Sequence, residues 1–335
     1  MTEKDFAKGW VDLAQPRLGT EVVFASDDFF APKDRLISPT DPVFIPGKFD
    51  DHGKWMDGWE SRRRRGGGYD HCILRLGCRG IVKAIDIDTS HFTGNYPPEA
   101  SIDMCVSDKP VPDADSEWHS LVERRPLNGN SHHLLEVDCA APITHLRLNI
   151  FPDGGVARLR VYGVITPDWE AQDPHMPIDL AAMENGGRPL HCNDEHFGSL
   201  SNIIAPGKGA NMGDGWETRR RREPGFDWGL IALGCPGVVE RVLIDTAFFK
   251  GNYPDRFFLQ GAYVEGDLSA LHDGETHEWP VLLPEQKLEM DREHLFEGEI
   301  EAHSPINVVR LNIIPDGGVS RLRLFGHRAD GPHAT

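Results

Sequence analysis

The residues best suited to chemistry lie in a run that occurs twice, DGWESRRRR at 57–65 and DGWETRRRR at 214–222. Arginine offers a planar fork of donors that grips a carboxylate at two points, and it stays charged at every physiological pH. Glu60 and Glu217 stand just ahead of the arginines, next to Trp59 and Trp216. If the run is an extended strand, its side chains alternate. Arg62 and Arg64 then face one way and Arg63 and Arg65 the other, with Arg219 and Arg221 as their counterparts. One face must meet the sheet interior, a ligand or a partner chain. Burying a guanidinium requires carboxylates, and Asp57, Glu60, Asp70 and Asp88 recur in both copies as partners. The plainer reading is a solvated or internally paired charge cluster, and chemistry alone leaves both open.

A second repeated segment, DTSHFTGNYP at 88–97 and DTAFFKGNYP at 245–254, brings Asp88, Asn95 and Tyr96, with Asp245 and Asn252 as counterparts. A side-chain amide both donates and accepts, which suits a urea-like group, although GNYP is also an ordinary turn sequence. The histidines separate the copies: His71 and His91 correspond to Trp228 and Phe248. An acid–base histidine can therefore exist in the first copy and be missing from the second, unless both are plain surface residues. His132, His133 and His145 show no metal-ligand spacing, and phosphate-loop and nucleophile-elbow patterns are absent. No cofactor is expected, and a divalent metal is left open.

The elements that position these residues belong to a duplicated chain. From Asp57 to Pro97 the two copies align without a gap, with 23 of 41 positions identical. RLNIFPDGGVARLRVYG at 147–163 returns as RLNIIPDGGVSRLRLFG at 310–326. The three prolines within 166–177 mark a linker, so domains of 1–172 and 173–335 are expected. The first copy carries an extra Pro-rich stretch before DGWE, and the second gains residues after GNYP. Period-2 alternation dominates, as in THLRLNIF, so each copy reads as an antiparallel β-sandwich or jelly roll. PDGG reads as a hairpin turn, with Arg158 and Arg160 on the surface. VDLAQ, IDLAAMEN and 291–301 are the only candidate short helices.

Composition narrows the partners. With 35 Lys+Arg against 53 Asp+Glu the formal charge is −18, which disfavours nucleic acid and anionic membrane. Six cysteines without a CxxC pair suggest reduced thiols and a cytoplasmic location.

Taken together, the DGWE[ST]RRRR pair, the two GNYP segments, NDEHFGSLSNII at 193–204 and the two PDGGV-[AS]-RLR segments resemble the allantoicase family from about residue 11 to 328. The resemblance implies an all-β chain of two tandem jelly-roll (galactose-binding-like) domains related by pseudo-twofold symmetry. It also implies hydrolysis of allantoate to ureidoglycolate and urea, and assembly into a homo-oligomer. On that reading Glu60, Asp88 and His91, with His71 secondary, are the catalytic candidates. Arg62, Arg64, Asn95, Tyr96 and Trp59, with Glu217, Arg219, Arg221, Asp245 and Asn252, are the substrate-binding candidates. The competing readings are a non-enzymatic carbohydrate- or small-ligand-binding tandem sandwich and a ureidoglycolate-processing enzyme on the same scaffold.

Overall fold

One long strand organises each half of the molecule, Asp70–Asp88 in the first and Asp227–Asp245 in the second. The computed structural model describes residues 6–7 and 9–329. It divides into two compact units, one running through residues 12–166 and the other from Pro167 onward. In the first, the early half of the long strand pairs with Glu21–Ala25 and with Ile143–Phe151. That sheet continues through Glu99–Cys105 to His119–Pro126. The late half pairs instead with Arg158–Ile165 and His132–Glu136. The long strand thus belongs to both layers of an antiparallel jelly roll, and the second unit repeats the plan. Leu74, Ile85, Ile87, Leu146, Leu148, Ile150, Leu159 and Val161 are fully buried and form the core. These are the inward positions of the alternating pattern.

The strand turns from one layer to the other at Gly77 and Gly80. A Cβ on Gly77 would lie 1.9 Å from the Leu18 carbonyl oxygen, and one on Gly80 2.7 Å from that of Val164. No side chain fits where those backbones meet. Because the strand folds over, its two ends emerge at the same end of the sandwich. Asp70 is opposite Ile150 and Asp88 opposite Arg158, so only a short connection separates their partners.

That connection contains PDGG, and it is not a hairpin. The strands on either side of it never pair with each other; both pair with the long strand. Gly155–Val156 instead forms a short ladder with Trp59–Glu60. Around it, the Ser61 N–H donates to Gly154 O (3.1 Å), Gly155 N–H to Asn95 O (2.7 Å) and Ala157 N–H to Asp88 O (2.8 Å). PDGG is therefore a strap that ties together three motifs distant in sequence. Gly318 and Ser320 repeat the bonds to Asn252 and Asp245 at 2.7 Å each.

Phe92 locks the strap. It is fully buried, and a Cβ on Gly155 would fall 2.0 Å from its ring. Gly318 meets Phe249 at the same distance in the second unit.

The helix expectations fail for a common reason. Of IDLAAMEN only Met183–Asn185 coils, as a 3-10 turn, and VDLAQ merely leads into another at Pro16–Leu18. Glu293–Phe296, inside the third candidate, is a strand paired with Val242–Asp245. Ladder pairing outweighs weak local helix preference. The four-residue helix Asp273–Thr276 lies instead within the second copy's extra residues.

Replacing Gly155 by Ala drives a methyl group into the Phe92 ring and should cost about 1–3 kcal/mol, as overpacking does. Gly66→Ala, where a Cβ meets nothing within 4 Å, should leave stability unchanged. Urea denaturation of the two variants side by side checks this, and equal midpoints would contradict the lock.

Candidate functional site

The strap gathers the motifs at one end of each sandwich. Asn95, whose carbonyl is pinned by Gly155, donates from Nδ2 to Glu60 Oε1 at 2.8 Å. Burial pushes the Glu60 carboxyl above its ordinary range, opposed by the Asn95 hydrogen bond and by Lys54. Asn252 and Glu217 make the same contact in the second unit.

The arginine run departs from expectation. Strand structure ends at Glu60, and the arginines follow in a loop. The backbone N–H groups of Arg62 and Arg64 go to side-chain carboxylates rather than to a neighbouring strand, so no alternation across a sheet arises. Arg62 N–H donates to Asp27 Oδ1 (2.8 Å) and its Nε to Oδ2 (2.7 Å). Burial disfavours the ionised Asp27, but the bonds from Arg62 outweigh it and hold the carboxyl below its ordinary range. Arg64 N–H donates to Asp153 (2.8 Å), and its Nη1 to Asp70 Oδ1 (2.6 Å), which Ser26 Oγ also reaches at 2.9 Å. Arg219 with Asp194 and Arg221 with Asp227 repeat both clamps. Of the expected partners only Asp70 serves this run. Arg62 keeps 62% of its side chain exposed and Arg64 34%, so both guanidinium groups retain a solvent-facing edge.

Trp59 and Trp216 are fully buried and cannot contact a ligand from there. Their Nε1 groups donate to Asp27 O and Asp194 O at 2.9 Å, which sets the position of the aspartate that clamps the first arginine. Tyr96 packs over Gly129, where a Cβ would lie 2.7 Å from its ring.

The two histidines sit apart. His71 is half-buried near the start of the long strand, with its ring 5.3 Å from Phe24. Burial, with the charge of Arg147, lowers its pKa. His91 adopts φ 68°, its N–H donates to Asn130 Oδ1 (2.9 Å), and its Nε2 lies 3.1 Å from Pro42 O. Phe248 adopts φ 72° and donates to Asp291 in the same way, so the left-handed turn belongs to the frame and not to the imidazole. Asp88 is buried, accepts from Ser90 N–H at 2.7 Å and receives no bond from the arginine run. In the second unit burial, with neighbouring Glu293, raises the Asp245 carboxyl.

Arg158 and Arg160, expected on the surface, are buried at 1% and 8% exposure. Residues 33–42 cover that face of their strand. Arg158 Nη2 donates to Asp57 Oδ2 (2.8 Å), and its other donors reach the carbonyls of Arg35, Thr40, Asp57 and Ala157. Arg160 Nη1 donates to Ser38 O at 2.7 Å. Arg321 with Asp214, and Arg323, take the same places in the second unit. The retained pairing of DGW with RLR in both copies was the available signal. Beneath the covering loop, Asp41, Asp86, Asp88, His132, Arg158 and Arg160 line a small recess. No group of three or more His, Cys, Asp or Glu among the described residues is arranged to hold a metal ion.

Fold and site together define a tandem jelly-roll protein whose strapped loop end gathers acid, amide and guanidinium groups. The family model of the allantoicase repeat matches residues 11–166 and again 178–329. A probable allantoicase of Ralstonia nicotianae is 56% identical over 96% of each chain, and one of Pseudomonas fluorescens 54% over 95% of this chain and 96% of its own. A crystal structure of allantoicase from Saccharomyces cerevisiae is 35% identical, covers 97% of this chain and 96% of its own, and superposes with a TM-score of 0.82. The chain belongs to the allantoicase family.

The raised Glu60 carboxyl carries a stability consequence. Its contribution is fully present below the unfolded value of 4.5 and is lost as pH rises through the higher folded value. Glu60→Gln keeps an acceptor for Asn95 without the buried charge. It should melt at or above the wild-type temperature near neutral pH and lose that advantage below about pH 4. Melting curves across pH check this, and a lower melting point of the variant at neutral pH would contradict it.

Proposed function

We propose that the protein hydrolyses allantoate to ureidoglycolate and urea, with Glu60 as the acid that protonates the departing ureido group. The observation that carries this reading is the Glu60–Asn95 pair: a carboxyl made easier to protonate by burial, beside an amide that matches a ureide. Allantoate is one carbon bearing a carboxylate and two ureido groups. The solvent-facing edges of Arg62 and Arg64 suit the carboxylate, while Asn95 and Tyr96 suit ureido N–H and C=O groups. Asp88 offers a second carboxylate, and His91 and His71 are the further acid–base candidates of the first copy. Glu217, Arg219, Arg221, Asp245 and Asn252 form the matching substrate-binding set of the second copy. Homo-oligomeric assembly and a cytoplasmic location belong to the same proposal, supported by the family and by six cysteines without a CxxC pair.

For a carbohydrate-binding sandwich, the burial of Trp59 and Trp216 removes the two motif tryptophans as stacking platforms.

Urea release from allantoate, measured with chelator-treated and metal-supplemented protein in parallel, tests the activity, and no urea in either arm would end the proposal. Glu60→Gln should lower kcat by about 10²–10⁴-fold, the usual contribution of a general acid. His91→Ala should lose more activity than Phe248→Ala. Equal losses would argue against placing the chemistry in the first copy.

A further inference from the structure

The recess under residues 33–42 of the first unit contains a histidine that the reading above does not use. His132 leads its short strand directly opposite Asp88 in the ladder. Its Nδ1 lies 2.6 Å from Asp86 Oδ2, and its Nε2 turns toward Asp88 Oδ1 at 3.9 Å. Asp86 and Asp88, two residues apart, point to the same side of the strand and are buried at 0% and 2% exposure, whereas His132 remains 44% exposed. Asp86 also accepts the His133 N–H at 3.1 Å, so its carboxylate is fixed before it orients the imidazole. Arg158, Arg160 and Asp41 complete the walls, and the recess, about 10 Å³, has the room of a single water molecule.

The second copy lacks this arrangement although it retains the backbone. Asp245 is opposite Glu293 in the same ladder, and Leu243 occupies the place of Asp86. The strap, the arginine clamps and the Glu–Asn pair occur in both units. The aspartate–histidine pair is confined to the first.

We propose that His132 is the proton acceptor of the hydrolysis in the first repeat, with Asp86 as its positioning residue. This rests on the allantoate reading. An ionised Asp86 takes the Nδ1 proton in a hydrogen bond, which fixes the tautomer with its lone pair on Nε2. A water bridging Nε2 and Asp88 would have both protons engaged and a lone pair aimed out of the recess. Its oxygen bonds to the central carbon of allantoate, and one water proton passes to Nε2. The bond from that carbon to one ureido nitrogen breaks, the pair stays on nitrogen, and the Glu60 proton completes urea. The other water proton remains on the new hydroxyl of ureidoglycolate, and solvent returns the proton on His132 to Glu60. Spacing permits a shared substrate: Gly155 opposes Glu60 and Arg158 opposes Asp88, three residues along one strap, which span at most about 10 Å.

The test measures urea release from allantoate by the full-length protein and its His132→Gln, Asp86→Asn and Glu293→Gln variants, with melting curves for each. His132→Gln should lose about 10²-fold or more in kcat. The acid limb of kcat/KM that a histidine base imposes should vanish with it. Asp86→Asn should lower kcat less and displace that limb, and Glu293→Gln should stay within about threefold of wild type. Imidazole should restore part of the activity of His132→Ala. A His132→Gln protein with wild-type melting, kcat within about threefold and an unchanged pH limb overturns the assignment. So does an equal loss in Glu293→Gln, or a His132→Ala protein that folds normally and ignores imidazole. Absence of urea from the wild type would instead refute the allantoate reading itself.

Discussion

The contact between a glycine and a phenylalanine ring governs the loop end of each unit. Gly155 lies so close to Phe92 that no side chain is possible there, and Gly58 meets the same ring from the other side. Only with that backbone seated can the strap reach Asn95 O, Asp88 O and the Trp59–Glu60 ladder together. Asn95 is then held by its carbonyl, and its side chain arrives at Glu60 with little rotational freedom to lose. Packing of one aromatic thus determines the surroundings of a carboxyl that is far away in sequence. The Phe249 and Gly318 pair does the same for Glu217.

Electrostatics builds outward from this frame. In a chain with net charge −18 carboxylates are plentiful, and buried arginines draw on them and on backbone carbonyls to offset desolvation. Arg158 is held by the Asp57 carboxylate and by four backbone carbonyls, two of them, Arg35 and Thr40, on the covering segment that precedes DGW. Such pairs contribute little net stability because desolvation offsets their attraction. What they supply is location: a guanidinium that needs several particular carbonyls holds the covering loop in one place, which an apolar contact would not. The exposed arginines differ. Each spends part of its fork on one carboxylate and keeps an edge for solvent or ligand.

Much of the fold was legible because duplication and period-2 alternation are strong signals. Leu146, Leu148 and Ile150 point inward as their spacing demands. What alternation does not reveal is the covering on the opposite face. Arg158 and Arg160 resembled surface residues because the segment that buries them, residues 33–42, lies more than a hundred positions earlier. PDGG looked like a hairpin because local turn chemistry says nothing about which strand receives each side of a turn; here the bent long strand takes both. Four consecutive arginines suggested alternation, yet Asp27 and Asp153 capture the backbone amides that a strand would need. Trp59 looked available to a ligand, and its buried Nε1 bond to Asp27 O explains why a tryptophan recurs there. Metal-ligand spacing does not reveal His132, because its partner Asp86 is a near neighbour only through strand register.

The two copies also separate frame from chemistry. Residues that hold the strap are the same in both: Phe92 and Phe249, Asn95 and Asn252, Asp88 and Asp245. The differences fall at side chains the strap does not require, among them His71 against Trp228 and Asp86 against Leu243. The second copy goes further and fills the face where the first keeps His71 half-exposed. Trp228, Leu268 and Trp279 all pack against a buried cluster that includes Leu271. Arg310, its guanidinium 4.6 Å from the Trp228 ring, is closed off by Thr276 and Asp273 of the extra helix. Apolar filling and polar opening are incompatible uses of one surface. Duplication lets a single backbone design adopt both, one unit closing this face with apolar side chains while the other keeps a half-buried histidine there.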